Sequence, residues 1–190
     1  REAERLADLS MAAIPYFQSH YEPMCDLFII PERGEKTSMF GLRDSWSERI
    51  YAMEPCEDYV RELDIDGGIH RVTYRTKEGR CERESFISYP DKVMVLKNVG
   101  EKISVVIERG VYMDRLRKID ENTLCMEGRA GAEGVKYCFC IRAVKGSLGI
   151  IGRTLFCGED SVLLAAAQTS FYCDNPFEAA VILELAEKKG

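Results

Sequence analysis

The sequence predicts a mainly β protein: an antiparallel β-sandwich with a short helix at the N-terminus and a linker helix at the C-terminus. Strand-like apolar runs follow one another from residue 59 to residue 171 with no helical pattern between them. Strands joined this closely must pair antiparallel, because parallel neighbours need a long crossover. The chain has 190 residues, 46% apolar and 31% charged, which suits one globular domain with a core of its own.

The N-terminal part predicts a helix, a strand and a loop. In "REAERLADLSMAAI" the apolar residues fall on one side, which is typical of an amphipathic helix, and Pro15 ends it. "MCDLFIIPE" predicts a strand that ends at Pro31. Residues 32–56 contain two glycines and a proline and predict a long irregular loop.

The strand signal is strongest in the remainder of the chain. "YVRELDI" predicts one strand, and "IHRVTYRT" and "RCERESFIS" form a hairpin around "KEG". The next strands are "KVMVLKNV", "KISVVIERGV", "TLCMEGRA", "VKYCFCIRAV", "SLGIIGRTLFC" and "SVLLAAAQTSF", so that eight or nine are expected in all. Asn175 as N-cap and Pro176 at the first helical position then open "FEAAVILELAEKK". We therefore expect a sandwich domain over residues 1–174 and the start of a helical linker over residues 175–190.

Charge and hydropathy exclude two classes of partner. The net charge is −6, and acidic and basic residues are interleaved without a basic stripe, so we expect no nucleic acid partner. Apolar runs such as "SVLLAAA" are too short to span a bilayer, so we expect no membrane partner. The chain starts at Arg1, already in a helical pattern, and we interpret it as a fragment of a longer protein.

The eight cysteines are even in number, which leaves a disulfide framework open. Most of them lie in strand-like apolar runs, where a reduced cysteine behaves as a small hydrophobic residue. We favour free thiols and a reducing, cytoplasmic compartment. Cys138 and Cys140 form C-x-C rather than the spacing of a structural zinc site, and we expect no metal and no cofactor.

Glu82 and Glu84 are the carboxylates that most resemble an acid and base pair. On a strand they share a face about 6.6 Å apart, near the roughly 6.5–9.5 Å of inverting glycosidases. Neighbouring arginines are available as partners, which favours a solvated charged face. The chain also has only two histidines and no nucleophile elbow or phosphate loop, so we assign no catalytic residue.

A polar cluster in "QSHYEPMCD" is the candidate substrate-binding site. Gln18, His20, Tyr21 and Asp26 are groups that suit sugar hydroxyls, and Trp46, the single tryptophan, could stack on a sugar ring. The alternative is a loop whose polar side chains satisfy local backbone groups before the strand begins.

Several phrases resemble one family, the glycoside hydrolases of family 95, which are inverting α-L-fucosidases and their relatives. "HYEPMCDLFI" resembles the Y-x-P-L-G-D-L segment of their N-terminal domain, although Met24 and Cys25 replace Leu-Gly. "EDYVRELDIDGGIHRVTYRTKEGRCERESFISYPDKVMVLK", "VLLAAAQTSF" and "DNPFEAAVILELAEK" resemble later segments in the same order. The resemblance implies a super-sandwich of the galactose mutarotase type and a catalytic (α/α)₆ barrel elsewhere in the protein.

We therefore predict a non-catalytic N-terminal domain of an inverting α-L-fucosidase or a relative. Its partners would be the barrel of its own chain and, through it, a carbohydrate substrate. The alternative is a free-standing carbohydrate-binding module with Trp46, Tyr21 and Tyr51 as an aromatic platform. A mutarotase-like enzyme is a third possibility, but it rests on analogy of fold alone.

Overall fold

The computed structural model describes residues 24–32, 55–109, 113–130 and 134–188. The predicted N-terminal helix and nearly all of the predicted loop at residues 32–56 lie outside these ranges. Within them the elements are β1 (Asp26–Pro31), β2 (Glu57–Asp64), β3 (Ile69–Arg75), β4 (Arg80–Ser88), β5 (Val93–Val99), β6 (Ile103–Glu108), β7 (Met113–Asp120), β8 (Thr123–Arg129), β9 (Lys136–Ile151), β10 (Thr154–Thr169) and α1 (Glu178–Glu187).

The ten strands form one continuous antiparallel sheet that folds into two layers. The first layer runs β2-β3-β4-β5-β10-β9-β8-β7. Along the edge where later residues of β10 pair with β5, its first residues pair with β6, and β6 pairs with β1. The strands β1 and β6 with the start of β10 form the second layer. The long β9–β10 hairpin therefore belongs to both layers, and the predicted antiparallel sandwich is confirmed. The finer comparison with galactose mutarotase stays a prediction.

The hairpin changes layers at an irregular stretch of its ladder. The register of β9 against β10 shifts on both sides of the Cys157 and Val162 pairs. Gly146 lies in this stretch with φ +73°, and a Cβ there would collide with the carbonyl oxygen of Asp160. Glycine is required here because a side chain has neither the backbone angle nor the space.

The core lies between the layers and follows from the alternation of side chains along each strand. In β6, Ile103, Val105 and Ile107 are fully buried and face the first layer. The residues that meet them from the first layer include Leu96, Leu124, Met126, Ile141 and Leu163. On the opposite face of the first layer, α1 covers a smaller cluster of apolar residues.

The sequence missed one strand and misplaced two boundaries, each for a local reason. The strand β7 was missed because "MDRLRKID" is an edge strand with charged side chains and little apolar alternation. "SLGIIGRTLFC" is two strand ends around a turn at Gly152, not one strand. The helix α1 begins at Glu178 rather than at Pro176, although the Asn175 side chain accepts a hydrogen bond from the Phe177 amide at 3.2 Å.

Candidate functional site

Of the predicted sugar-binding residues, the structure places Asp26 alone. It is the first residue of β1, and its side chain is exposed at the end of the second layer. Gln18, His20, Tyr21 and Trp46 lie outside the described residues. The predicted cluster stays a prediction.

The chain enters β1 through an anchored segment. The Arg109 guanidinium donates a hydrogen bond to the Met24 carbonyl at 3.2 Å and lies over the Tyr137 ring, 5.0 Å from its centroid. Burial and the neighbouring Asp26 carboxylate raise the pKa of the Cys25 thiol to about 11. Cys25 does not have a positive φ, so cysteine in place of the family's glycine creates no backbone strain.

Glu82 and Glu84 belong to a charged ladder on the outer face of the first layer. The Arg71 guanidinium lies 2.6 Å from the Glu84 carboxylate and 2.9 Å from that of Glu62. Hydrogen bonds to Glu84 and then to Glu62 raise the pKa of Arg71. Arg80 lies 3.6 Å from Glu82. The interpretation of this stretch as a polar face with arginine partners is confirmed.

Arg83, which lies between Glu82 and Glu84 in the sequence, points to the other face and joins a buried ionic network. Its Nη2 lies 2.6 Å from the Glu101 carboxylate, whose side chain is only 3% exposed. The Tyr74 hydroxyl donates to the same carboxylate and accepts from Arg83 at 2.8 Å. The Asn98 side chain donates to the Glu101 carbonyl at 2.8 Å. These contacts tie β3, β4 and the β5–β6 turn together, which is a structural role.

Beside this network is a surface recess of about 160 Å³. Asp58 and Arg75 line it, and their charged groups lie 3.4 Å apart across its rim. Tyr59 stacks on Tyr74 next to it, with ring centroids 6.4 Å apart. The recess is small compared with ligand pockets of roughly 300–1,000 Å³. It could hold a small polar group rather than a sugar chain.

The helix α1 docks on the first layer over β5, β9 and β10. Ala179 and Leu183 are fully buried, whereas Val181, on the outer side, is 51% exposed. The Arg117 guanidinium lies 4.5 Å from the centroid of the Phe177 ring and holds the start of the helix. Packing therefore fixes the position of α1 on the first layer.

Arg142 fastens the end of α1 to the sheet. Its guanidinium lies 2.7 Å from Glu187 on the helix and 2.8 Å from Asp120 on β7, and it donates to the Thr123 hydroxyl at 2.8 Å. Burial raises the pKa of the Asp120 carboxyl. Its hydrogen bonds with the Asn122 amide and Thr123, together with the charge of Arg142, have a larger opposite effect. The pKa therefore lies below its usual value. We call the contacts of Arg142 with Asp120, Thr123 and Glu187 the Arg142 clamp. The sequence does not predict this clamp, because Arg142 and Glu187 are far from each other and from the other two residues along the chain.

The cysteines differ from the sequence expectation. Cys125 and Cys140 form a disulfide between β8 and β9, so the expectation that all cysteines are free is wrong for this pair. The Cys138 sulfur lies 3.5 Å from that of Cys140 on the same face, as the C-x-C pattern predicts. Burial raises the pKa of the Cys138 thiol to about 12, so at neutral pH it is protonated and a poor nucleophile. The compartment stays a prediction.

In the parts of the chain that the structure describes, no helix is long and apolar enough to cross a membrane. The fold and its paired charges define this molecule as an antiparallel β-sandwich domain with a helix docked on one layer. Comparison with known proteins gives the family. The model of "Glycosyl hydrolase family 65, N-terminal domain" matches residues 1–174, and the chain belongs to that family.

A relative with a printed activity is also similar. "Probable alpha-fucosidase A" of Aspergillus oryzae (strain ATCC 42149 / RIB 40) is 34% identical over 76 residues, which are 40% of this chain. The match covers only 10% of that protein's length. The prediction of a glycoside hydrolase N-terminal domain is therefore confirmed, whereas the finer assignment to family 95 stays a prediction.

Proposed function

We propose that this chain is the non-catalytic N-terminal β-sandwich domain of an inverting α-L-fucosidase or a close relative, similar to family 95. The observation that carries the proposal is the family match over residues 1–174, supported by the similarity to an α-fucosidase. The activity belongs to the parent protein. In it, one carboxyl protonates the leaving oxygen and another activates water.

The chemistry of the described carboxylates supports a structural role. An inverting pair needs one protonated carboxyl and one carboxylate on opposite sides of the substrate. Glu82 and Glu84 instead lie side by side with arginine partners. The buried carboxylate of Glu101 lies against Arg83 within the core. Groups paired in this way link neighbouring strands and are not arranged as an acid and a base across a substrate.

The docked helix α1 supports the second part of the proposal, that the domain packs on an (α/α)₆ catalytic barrel. Leu183 and the Arg142–Glu187 ion pair hold the helix against the sheet. A linker fixed in this way would present the barrel in one orientation, whereas a free linker would let the two domains move independently.

The test is to express the whole open reading frame that encodes this chain and to follow hydrolysis of an aryl α-L-fucoside by proton NMR. The proposal expects hydrolysis with β-L-fucose as the first product, because inversion converts the α anomer to the β anomer. Release of α-L-fucose first, or no action on the fucoside, would overturn the assignment.

One observation favours a second candidate, a free-standing carbohydrate-binding module. Phe171 and Tyr172 are 75% and 82% exposed, and their rings meet edge to face with centroids 5.0 Å apart. Exposed aromatic rings are what sugar-binding surfaces use. Glycan-array binding by the isolated chain that is lost in Phe171→Ala and Tyr172→Ala would support this function, and an array without binding would exclude it.

A further inference from the structure

Three cysteine sulfurs meet on the outer face of the first layer, although the sequence spacing does not suggest it. Cys138 and Cys140 lie two residues apart on β9 and therefore share a face. The register places Cys125 of β8 directly opposite Cys140. All three sulfur atoms lie within 4.8 Å of one another.

The cluster is closed to water. Each of the three cysteines is 0% exposed. Ala179 and Leu183 of α1 pack in the same apolar cluster and are also fully buried. A ligand bound at these sulfurs would therefore be held between the sheet and the helix, out of contact with bulk water.

We propose that Cys125, Cys138 and Cys140, when reduced, form a binding site for one soft d¹⁰ metal ion, and that Cu(I) is the ion that fits best. Thiolates are the ligands that soft ions select. Cu(I) is satisfied by two or three sulfurs, which is what this site offers. A structural zinc site needs four ligands, and a three-ligand zinc site keeps a water in the fourth position. Among the described residues the group contains no fourth His, Cys, Asp or Glu, and its three cysteines have no access to bulk water.

The distances are compatible with this assignment. With metal–sulfur bonds of about 2.3 Å, three sulfurs in a triangle around an ion are about 4.0 Å apart. The Cys138 and Cys140 sulfurs are 3.5 Å apart, close to that value. The Cys125 and Cys140 sulfurs, which form a disulfide in the structure, must move apart once that bond is reduced. Side-chain rotation supplies such a shift.

The disulfide and the metal site are alternative states of the same atoms. A phosphine reductant takes up the oxygen of one water molecule and becomes the phosphine oxide, and the two protons of that water pass to the sulfurs, so that the Cys125–Cys140 bond becomes two thiols. Cu(I) then replaces thiol protons, which pass to the buffer.

The experiment uses the complete chain, reduced with a phosphine, desalted without oxygen and titrated with Cu(I) against the chromophoric chelator bicinchoninate. One equivalent withheld from the chelator is expected. Cys138→Ser removes a direct ligand and should weaken Cu(I) binding. The loss should be at least the roughly 10–100-fold that follows removal of an outer-shell partner. Cys157→Ser, at a buried cysteine outside the cluster, and Cys56→Ser, at an exposed one, should leave binding unchanged.

Several results would overturn the proposal: no equivalent withheld, equal binding by Cys138→Ser, or binding of Zn²⁺ but not Cu(I). Because a variant could fail to fold, X-ray absorption at the copper edge of the unmodified chain gives an independent reading. It should show two or three sulfurs at about 2.3 Å and no nitrogen or oxygen ligand. A nitrogen or oxygen shell would place the copper elsewhere and would also overturn the site.

Discussion

Replacing Arg83 with alanine should strongly destabilise the domain. Its guanidinium lies 2.6 Å from the Glu101 carboxylate and 2.8 Å from the Tyr74 hydroxyl. The side chains of Arg83 and Glu101 are 17% and 3% exposed, so both charges are largely removed from water. The variant takes away the cation that stands beside a buried carboxylate, and that carboxylate cannot regain its hydration without opening the sheet.

The magnitude follows from this burial. Removing one partner of a buried ion pair costs about 3–5 kcal/mol of the free energy of unfolding. A domain of this size loses roughly 2–4 °C of melting temperature per kcal/mol, so that a decrease of about 6–20 °C is expected. Arg71→Ala is the matched control, because Arg71 also pairs with glutamates but is 36% exposed. Exposed pairs contribute about 0–1 kcal/mol.

The assay is thermal and urea unfolding followed by circular dichroism, with both variants and the parent chain in one buffer. Combining Arg83→Ala with Glu101→Ala should recover part of the loss, because the double variant buries no carboxylate at this position. The reasoning is refuted if Arg71→Ala lowers stability as much as Arg83→Ala does.

Five further substitutions test three features, which are the packing of α1, the bend of the long hairpin and the contacts of Arg142 with β7. Leu183→Ala should lower the free energy of unfolding by about 2–5 kcal/mol, because the side chain is fully buried under α1, whereas Val181→Ala on the exposed side should change it by less than about 0.5 kcal/mol; urea titration measures both. Gly146→Ala should cost about 1–3 kcal/mol or more, since φ is +73° and the added methyl meets a backbone carbonyl. Gly149→Ala, with φ +103° and open space, should cost less in the same titration. The pKa of Asp120 is lower in the folded than in the unfolded chain. The Asp120 carboxylate therefore contributes stability above the unfolded pKa, and this contribution is lost as the pH falls through the folded pKa. Asp120→Asn should accordingly flatten the decrease in melting temperature below about pH 4.

Each of these expectations has an outcome that contradicts it. Equal losses for Leu183→Ala and Val181→Ala would mean that α1 does not dock through its apolar side. A Gly149 variant as unstable as the Gly146 variant would show that the close approach of the two strands is not the cause. A melting curve with the same acid dependence in Asp120→Asn would remove the clamp as a source of that dependence.

The β3–β4 hairpin of the first layer was predictable because its chemistry is local. In β3 and β4 the alternation of side chains and the turn around Gly79 specify the hairpin without reference to the rest of the molecule. The strand β7 was not predictable in this way, because this edge strand is largely exposed and carries charges at most of its positions. The sequence around Gly146 was interpreted as a break between two strands, because glycine is common both where a strand bends and where a strand ends.

The ionic network and the sulfur cluster depend on register, which a single sequence does not specify. Arg83 and Glu101 are 18 residues apart, and the glutamate comes from a turn whose composition suggests exposure. Cys125 meets Cys140 only because β8 pairs with β9 in one particular register. The charged ladder at Glu84 was predictable in kind, since neighbouring strands had visible arginines, but only the pairing identified Arg71 as its main partner.

The central claim is that the chain has no glycosidase chemistry of its own. It is tested most directly by the turnover of an aryl α-L-fucoside by the isolated 190-residue chain, with Glu82→Gln and Glu84→Gln variants assayed in parallel. We predict no hydrolysis above the buffer blank for the chain or for either variant. Clear turnover by the unmodified chain that is lost in one of the variants would contradict the claim and would place catalysis within this domain.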